Sequence, residues 1–347
     1  MSRLGLGRVI SQPASFGLKV RDAEQVFLVQ MPTLQACTPG ANDCLLRLKN
    51  RIGTCTMKIA TAAYNLDWLD SWAQYEDKLD AWVSQAAGQG AELLVFPEYG
   101  AMELSTLDGA DVAGDLERSI QAVSDRMEDV QTLHRRLAST YNLYILGASA
   151  PVQAGPGRPV NRAEFYAPSG AQDHQDKQIM TRFEREDWDI APGGPLKIFE
   201  TALGRIGVLI CYDTEFPLLG RALSEVDLIL VPSCTEALSG YWRVRIGAMA
   251  RALENQCVTV MSSVVGNNDW SQSVDANTGT GGIFGPPDKG FPQTGVLVEG
   301  VLNQPGWTYA EVDLSAIAGV RADGHVLNRT HWAEQTPRVE SVTMSRL

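Results

Sequence analysis

From Met57 onward, short apolar runs alternate with longer amphipathic segments. The apolar runs have the length and composition of buried strands. They predict strands at 58–63, 93–96, 143–148, 162–166, 206–210, 228–231 and 258–262, with further strands near 281–284, 296–301 and 308–312. The amphipathic segments predict helices over 70–89, 115–141, 216–225 and 241–255. Strands that alternate with helices in this way are typical of an α/β fold.

The predicted helix over 241–255 carries large apolar side chains at helical spacing, namely Trp242, Ile246, Met249 and Leu253. Such a stripe is the usual mark of the buried side of a helix. We expect it to face either the core or another subunit.

The chain has 347 residues, of which 44% are hydrophobic and 20% charged. This composition is ordinary for a soluble globular protein, and no apolar stretch is long enough to cross a bilayer. The six cysteines do not have the close spacing of a zinc site or of a disulfide scaffold. We therefore expect a cytoplasmic protein with no membrane partner and no metal.

The net charge of −12 is unevenly distributed. Residues 1–56 hold seven basic and three acidic side chains, so the remainder has a net charge of −16. A body this acidic argues against a nucleic-acid partner, because binding to phosphates needs a basic surface.

Residues 1–56 lack a sustained hydrophobic period and contain turn-forming residues around 38–43. We interpret them as an N-terminal extension, either disordered or upstream of a mis-assigned start, with Met57 as the true first residue. A targeting peptide is an alternative, since residues 1–21 contain basic residues and serines but no acid. An ordered arm is a third possibility.

Cys211 ends the strand-like run over 205–211 and begins a segment of turn and helix-start residues that reaches Pro217. A thiol at such a corner would project from the carboxyl edge of a sheet, beside backbone amides that can bind an anion. Taken alone, Cys211 is better explained as a core residue, because free cysteine is among the most buried residue types.

Two charged residues change that interpretation. Glu98 follows an apolar strand-like run and a proline, and it precedes Tyr99 and Gly100. Lys177 lies in front of an extended or irregular stretch that leads to the Pro-Gly-Gly turn at 192–194. Either charged side chain could simply be solvated. Glu98, Lys177 and Cys211 in this order, however, form a more specific pattern than Cys211 alone.

In sequence order, Glu98, Lys177 and Cys211 resemble the catalytic residues of the nitrilase superfamily of carbon-nitrogen hydrolases. The resemblance covers most of the chain, including the flanks of these three residues and the segments at 57–64, 216–221 and 250–256. It implies a four-layer α-β-β-α sandwich and a carbon-nitrogen hydrolase domain over residues 57–347.

The resemblance also implies a mechanism. Cys211 would be the nucleophile, Glu98 the general base and then the general acid, and Lys177 the group that stabilises the oxyanion. Glu184 is similar to a second glutamate that many family members place beside the lysine, with Glu186 as the competing candidate. No metal or organic cofactor is required.

The candidate substrate-binding residues are Tyr212, Thr235 and Glu236. Tyr212 would offer its backbone amide to the oxyanion, while Thr235 and Glu236 follow the strand at 228–231, where related enzymes form part of the pocket. The partner would be a small-molecule amide or nitrile, and the resemblance implies a homodimer or a larger homo-oligomer.

Three functions remain open from the sequence. The first is an amidase that cleaves a small amide or carbamoyl compound through a cysteine thioester, which the Cys211-Tyr212-Asp213 motif favours. The second is a nitrilase, which Glu184-Arg185 and Trp188 favour. The third is a catalytically silent binding module, since a fold does not dictate a function.

Other patterns add little to the functional picture. The glycines at 279, 281, 282, 285 and 290 fit neither a dinucleotide fingerprint nor a Walker A loop, so we expect a hairpin connection and no nucleotide. We expect His134, beside two arginines, to be solvated on a helix. His174 is either a surface residue or part of the pocket mouth.

Overall fold

The computed structural model describes residues 56–347. The predicted N-terminal extension, apart from Thr56, lies outside the described residues. Within residues 56–347, no helix is both long enough and apolar enough to cross a bilayer.

The described part of the chain contains fourteen strands that belong to one branched hydrogen-bonded sheet. They are β1 Thr56–Asn65, β2 Leu93–Val95, β3 Tyr144–Leu146, β4 Ala150–Val152, β5 Val160–Tyr166, β6 Gln172–Asp176, β7 Phe199–Thr201, β8 Gly204–Val208, β9 Leu228–Ser233, β10 Val258–Asn267, β11 Ala276–Asn277, β12 Gly282–Phe284, β13 Val296–Glu299 and β14 Gly306–Asp313.

The same residues form nine α-helices and three 3₁₀ helices. The α-helices are α1 Trp72–Gly88, α2 Ala110–Ala113, α3 Leu116–Ser124, α4 Met127–Tyr141, α5 Arg182–Glu186, α6 Pro217–Ala222, α7 Leu238–Asn255, α8 Leu314–Asp323 and α9 Asn328–His331. The 3₁₀ helices are Gly100–Asp108, Cys211–Glu215 and Trp332–Arg338.

The main path of the sheet runs β4-β5-β3-β2-β1-β10-β9-β8-β7. Neighbouring strands from β3 to β8 along this path are parallel, while β4, β5 and β7 pair antiparallel at the two ends. Strand β14 pairs antiparallel with β1, and β6 pairs antiparallel with β5. Because β5 is antiparallel to β3, strand β6 runs in the same direction as the parallel strands.

Buried apolar side chains form two clusters on opposite faces of β1 and β2. Ile59 and Leu93 belong to a cluster shared with β8, β9 and α7, whereas Ala60 and Leu94 belong to a cluster shared with α1 and α4. Alternate residues of a strand point to opposite faces of the sheet. Each half of the sheet therefore packs helices against one face and the second half of the sheet against its opposite face. This order of layers is the α-β-β-α sandwich that the family resemblance implies.

The predicted strands all have counterparts, with shifted ends, and the strands β12 and β13 form the expected hairpin connection. Four short strands, β4, β6, β7 and β11, were not predicted. Strand β6 has the sequence Gln-Asp-His-Gln-Asp, so it carries no apolar alternation that would indicate a strand.

The prediction of one helix over 115–141 is wrong, because two helices, α3 and α4, occupy this stretch. At the break, the Arg126 guanidinium donates to the Ala122 carbonyl oxygen at 2.7 Å and to Asp108. The Arg126 backbone N–H bonds to Val123 instead. A side chain thus replaces a backbone donor, and the helical ladder is interrupted.

Of the apolar stripe on α7, only Met249 packs partly against the core of this chain, so a contact with another subunit stays the prediction for the other three residues. Trp242 is 46% exposed, Ile246 61% and Leu253 40%. The buried side of α7 carries Tyr241, Val244, Ala248 and Ala252 among others.

The prediction that His134 is solvated is wrong, because its side chain is buried and only 1% exposed. Its ring stacks on Tyr166 with the centroids 5.0 Å apart, and its Nδ1 lies 2.9 Å from the Val130 carbonyl oxygen. The neighbouring arginines point to a different side of the helix, because successive helical residues are rotated by about 100°.

Candidate active site

Three of the predicted site segments meet at one edge of the sheet. Glu98 follows β2, Cys211 follows β8, and Cys234 to Glu236 follow β9. Because these strands are parallel, their carboxyl ends lie at the same edge. Lys177 follows β6, which runs in the same direction, and so reaches that edge as well.

Cys211 occupies the strand-to-helix corner that its sequence predicts. Its φ of +49° is unusual for a residue with a side chain, and it opens the 3₁₀ helix Cys211–Glu215, which is followed by α6. The Thr214 hydroxyl donates to the Cys211 carbonyl oxygen at 2.7 Å and closes the turn. The thiol is buried, with Sγ 3.7 Å from the Cys234 carbonyl oxygen.

Glu98 is 1% exposed and is held by three donors. Its Oε1 accepts from Lys177 Nζ at 2.6 Å and from Asn161 Nδ2 at 3.0 Å, and its Oε2 accepts from the Cys234 backbone N–H at 2.9 Å. The next residue, Tyr99, has a φ of +54°, so the chain turns sharply after the carboxylate. A carboxylate held at both oxygens keeps one orientation towards the cavity.

Lys177 is 1% exposed and lies between two carboxylates. Its Nζ is 2.6 Å from Glu98 Oε1, 2.8 Å from Glu184 Oε1 and 2.7 Å from Glu184 Oε2. A buried ammonium needs such partners, because an unpaired charge out of water is costly.

Glu184, rather than Glu186, is the glutamate beside the lysine. It lies in α5, where Thr181 and Glu184 form a capping box, and it also accepts from the Tyr99 hydroxyl at 2.6 Å. Glu186 is 55% exposed and pairs with Arg182. The two residues lie two positions apart on a helix, so they point in different directions.

The electrostatics follow from burial and from these close contacts. Burial raises the pKa of Glu98, and although Lys177 opposes this, the net shift is upward. Burial opposes the ionisation of Glu184, but the Lys177 charge and its hydrogen bonds outweigh it, so that pKa is lowered. Burial also lowers the pKa of Lys177, but Glu184 and Glu98 outweigh this effect and raise it well above its usual value.

Burial and the nearby Glu98 carboxylate raise the pKa of the Cys211 thiol well above its usual value, although Lys177 acts in the opposite direction. The resting thiol therefore holds its proton. A nucleophilic reaction at this sulfur needs a base beside it, and Glu98, with its raised pKa, has the proton affinity suited to that task.

These side chains line a cavity of about 510 Å³, which has the size of a small-molecule site. Tyr212, Thr235 and Glu236, the predicted substrate-binding residues, line the same cavity. The other walls contain Tyr99, Trp188, Phe183, Arg243 and residues 272, 273 and 275–277. His174 is not among the lining residues, and within the described residues no group of His, Cys, Asp and Glu side chains is arranged to hold a metal ion.

Sequence reasoning assigned no role to several residues that hold the predicted ones. Asn161 and Tyr99 bond directly to Glu98 and Glu184, respectively, and Asp213 bonds to the segment after Lys177. Tyr99 and Asp213 are neighbours of predicted residues in the motifs, so adjacency was a usable signal for them. Asn161 had none, because its partner is 63 positions away.

The comparison with known families identifies the family of this chain. The sequence model of the carbon-nitrogen hydrolase family matches residues 52–322. The chain belongs to this family. A probable hydrolase of Bacillus subtilis, YhcX, is 32% identical over 277 residues, which are 78% of this chain and 52% of that protein. The chain therefore spans about half the length of this relative. The omega-amidase NIT2 of Danio rerio is 25% identical over 250 residues, which are 69% of this chain and 82% of that protein.

Solved structures of the nitrilase superfamily share the fold of this carbon-nitrogen hydrolase family member. Nit3 of Saccharomyces cerevisiae superposes with a TM-score of 0.60 at 19% identity, covering 77% of this chain and 93% of that one. An amidase from Nesterenkonia sp. AN1, in which acrylamide has added to the active-site cysteine, superposes with a TM-score of 0.59 at 23% identity. That match covers 77% of this chain and 97% of the amidase.

Proposed function

We propose that this protein is a thiol-dependent amidase that cleaves a non-peptide C–N bond of a small amide or carbamoyl compound. The observation that carries the proposal is the buried Glu98–Lys177–Glu184 cluster, which lines the same cavity as the thiol of Cys211. The catalytic residues would be Cys211, Glu98, Lys177 and Glu184.

The first half of the reaction forms a thioester. Glu98 takes the proton of Cys211 Sγ, and the thiolate attacks the carbonyl carbon of the substrate. Lys177 Nζ and the backbone N–H of Tyr212 donate to the oxyanion that forms. The C–N bond then breaks while Glu98 gives its proton to the departing nitrogen, so that ammonia or an amine leaves.

The second half regenerates the thiol. A water molecule gives a proton to Glu98 and attacks the thioester carbon, after which the C–S bond breaks. Glu98 returns the proton to the sulfur, and the acid is released. Glu184 does not exchange protons in this scheme: its lowered pKa keeps it ionised, and it orients the Lys177 ammonium throughout.

Amide chemistry is favoured by the known relatives, which include the omega-amidase NIT2 and deaminated glutathione amidases. A nitrile is the second candidate substrate, because the same residues can carry it through a thioimidate. The motif Glu184-Arg185 with Trp188 is the feature that keeps this candidate open, since Trp188 lines the cavity.

The test is ammonia release from a panel of small amides, N-carbamoyl compounds and nitriles, with wild type and with Cys211→Ala. Cys257→Ala is the matched control, because Cys257 is a buried free cysteine that does not line the cavity. We expect turnover of amides by wild type and by the control, and none by Cys211→Ala.

Each other result decides against part of the proposal. Turnover of nitriles alone would make the protein a nitrilase. Equal turnover by Cys211→Ala would remove the thiol from the mechanism. No turnover of any compound, together with saturable binding of amides, would favour the binding module.

A further inference from the structure

Asp213 lies between the segment after Lys177 and the Cys211 corner, and it has no part in the chemistry described above. It is the third residue of the Cys211-Tyr212-Asp213 motif and is fully buried. Its Oδ1 accepts the backbone N–H of Ile179 at 2.9 Å, and its Oδ2 accepts that of Ile210 at 3.2 Å. The N–H of Gln178 lies 3.2 Å from both oxygens.

These donors belong to two different segments. Ile210 is the residue before Cys211, at the end of the strand that leads to the nucleophile. Gln178 and Ile179 directly follow Lys177. The two segments are more than 30 positions apart in sequence, and the carboxylate of Asp213 joins them.

The other backbone bonds of Lys177 point elsewhere. Its N–H donates to the Asn161 carbonyl oxygen, and its carbonyl oxygen accepts from Gly193, both at 2.9 Å. Those bonds hold the lysine to β5 and to the turn at 192–194, but not to the nucleophile corner. Among the backbone bonds of the described residues around Lys177, the link to the Cys211 turn is made by Asp213.

We propose that Asp213 is a positioning residue whose carboxylate fixes the Lys177 segment against the Cys211 corner and thereby sets the distance between the ammonium and the sulfur. This inference rests on the proposed function of the two residues. A displacement of about 1 Å between reacting groups can cost on the order of a hundredfold in rate, so such a link matters for turnover more than for substrate affinity.

A carboxylate suits this task better than an amide of the same shape. It offers two acceptor oxygens: Oδ1 accepts from Ile179, Oδ2 accepts from Ile210, and the Gln178 N–H lies near both. An asparagine at this position has one acceptor oxygen, and its NH₂ group would face a backbone N–H that also needs an acceptor. Asp213→Asn should therefore lose its bond to either Ile179 or Ile210 and weaken the link between the two segments.

The experiment compares Asp213→Asn with Glu103→Gln, a matched control. Glu103 is equally buried and accepts from Lys78, Tyr64 and the Asp67 N–H, none of which belongs to the Lys177 segment or to the Cys211 corner. Both changes remove one buried carboxylate from a hydrogen-bonded network. For each folded variant, kcat and KM for an amide, the melting temperature and the rate of Cys211 alkylation by iodoacetamide are measured.

For Asp213→Asn we expect kcat to fall about a hundredfold with KM changed by less than about threefold, and alkylation of Cys211 to slow, because Lys177 no longer stabilises the thiolate. For Glu103→Gln we expect a lower melting temperature with kcat and alkylation rate unchanged. The inference is overturned if Asp213→Asn loses only stability and keeps the kcat and alkylation rate of wild type.

A second variant covers the case in which Asp213→Asn does not fold. Asp213→Glu keeps the charge but moves the carboxylate by one methylene, so it should fold and still lose kcat. A folded Asp213→Glu with full kcat would contradict the inference. Alkylation needs no amide substrate, so it tests Asp213 even if wild type hydrolyses none of the amides, in which case the proposed function fails and the positioning role is judged alone.

Discussion

Lys177 is the residue on which the electrostatics of the site depend. Its ammonium lies within 2.8 Å of carboxylate oxygens of both Glu98 and Glu184, and all three side chains are buried. Without this charge, two carboxylates would face each other in a site with little water. Lys177 therefore holds the buried carboxylates together, and kinetics can test whether it also has the proposed catalytic role.

Replacing Lys177 with methionine keeps an unbranched side chain, one atom shorter, and removes the charge. We expect the folded Lys177→Met protein to bind an amide with a KM close to that of wild type, and kcat to fall by on the order of a hundredfold or more, because an oxyanion donor is lost. Steady-state kinetics with ammonia detection, after folding has been checked by circular dichroism, measure this. A kcat within about threefold of wild type would exclude Lys177 as the oxyanion donor.

At this scale the sequence located the charged and nucleophilic side chains but not the residues that hold them. Glu98 and Cys211 could be found because strand-like runs end at both, and the family resemblance added Lys177 and Glu184. The hydrogen bond from Tyr99 to Glu184 joins residues 85 positions apart, and no periodicity along the chain records such a contact. Asp213 was visible in the motif, but its partners were not.

At the scale of elements, α7 supports the corner that carries Cys211. A Cβ atom placed on Gly247 of α7 would lie 2.9 Å from the Thr214 carbonyl oxygen and 2.7 Å from its hydroxyl. Thr214 in turn closes the turn at Cys211. The missing side chain at 247 thus allows the helix to approach the 3₁₀ helix Cys211–Glu215.

Gly247→Ala tests this contact, and Gly319→Ala is its control. Gly319 lies in α8, where an added Cβ would meet no atom within 4 Å. Alanine favours a helix over glycine by up to about 1 kcal/mol, so Gly319→Ala should be neutral or stabilising. Gly247→Ala should instead lower the free energy of unfolding by about 1–3 kcal/mol and reduce kcat, because the added Cβ would clash with both the hydroxyl and the carbonyl oxygen of Thr214. Denaturant unfolding measures the free energy of unfolding of both variants, and steady-state kinetics measure their kcat. A stabilised, fully active Gly247→Ala would show that the close approach of α7 to Thr214 is not needed.

Element types were predicted better than element ends. Strand β10 extends to Asn267, five residues beyond the prediction, because the polar Ser262 and Ser263 are buried and bonded to the carbonyl oxygens of Phe96 and Thr280. A pattern based on hydrophobicity stops at such residues. The break between α3 and α4 was missed for a similar reason, since it depends on one long-range contact of Arg126 with Asp108.

At the scale of the whole molecule, the exposed stripe on α7 bears on the oligomeric state. Trp242, Ile246 and Leu253 are at least 40% exposed in the single chain. Exposed apolar side chains grouped on one helix are typical of a protein interface. The homo-oligomer stays a prediction, as does the cytoplasmic location.

The stripe can be tested by placing a charge in its middle. We expect wild type to sediment as a dimer or larger species and Ile246→Asp to shift towards the monomer in analytical ultracentrifugation, because a buried unpaired charge is costly. Val301→Asp is the control, since Val301 is 67% exposed but lies outside α7. Unchanged sedimentation of Ile246→Asp would exclude the stripe from the interface.

The stability of the molecule should fall in mild acid through His134. Burial lowers the pKa of this side chain to about 4, whereas an unfolded histidine titrates near 6.5. Between these values the unfolded chain binds more protons, so the free energy of unfolding decreases as the pH falls from about 6.5 to about 4. The loss from this residue alone is about 2 kcal/mol at pH 5.

Urea unfolding of wild type and His134→Phe at pH 7 and pH 5 measures this contribution. All other titrating groups are common to the two proteins, so the variant should lose less stability between the two pH values than wild type does. Equal losses in both proteins would show that His134 does not titrate between its folded and unfolded states.

The most direct test of the central claim is intact-mass analysis of the protein, quenched in acid shortly after mixing with an amide that it hydrolyses. We predict a mass increase equal to the acyl group of the substrate, located by peptide mapping on Cys211, present in wild type and absent in Cys211→Ala. Turnover with no adduct on Cys211 at any time, or an adduct on another residue, would contradict the thioester mechanism.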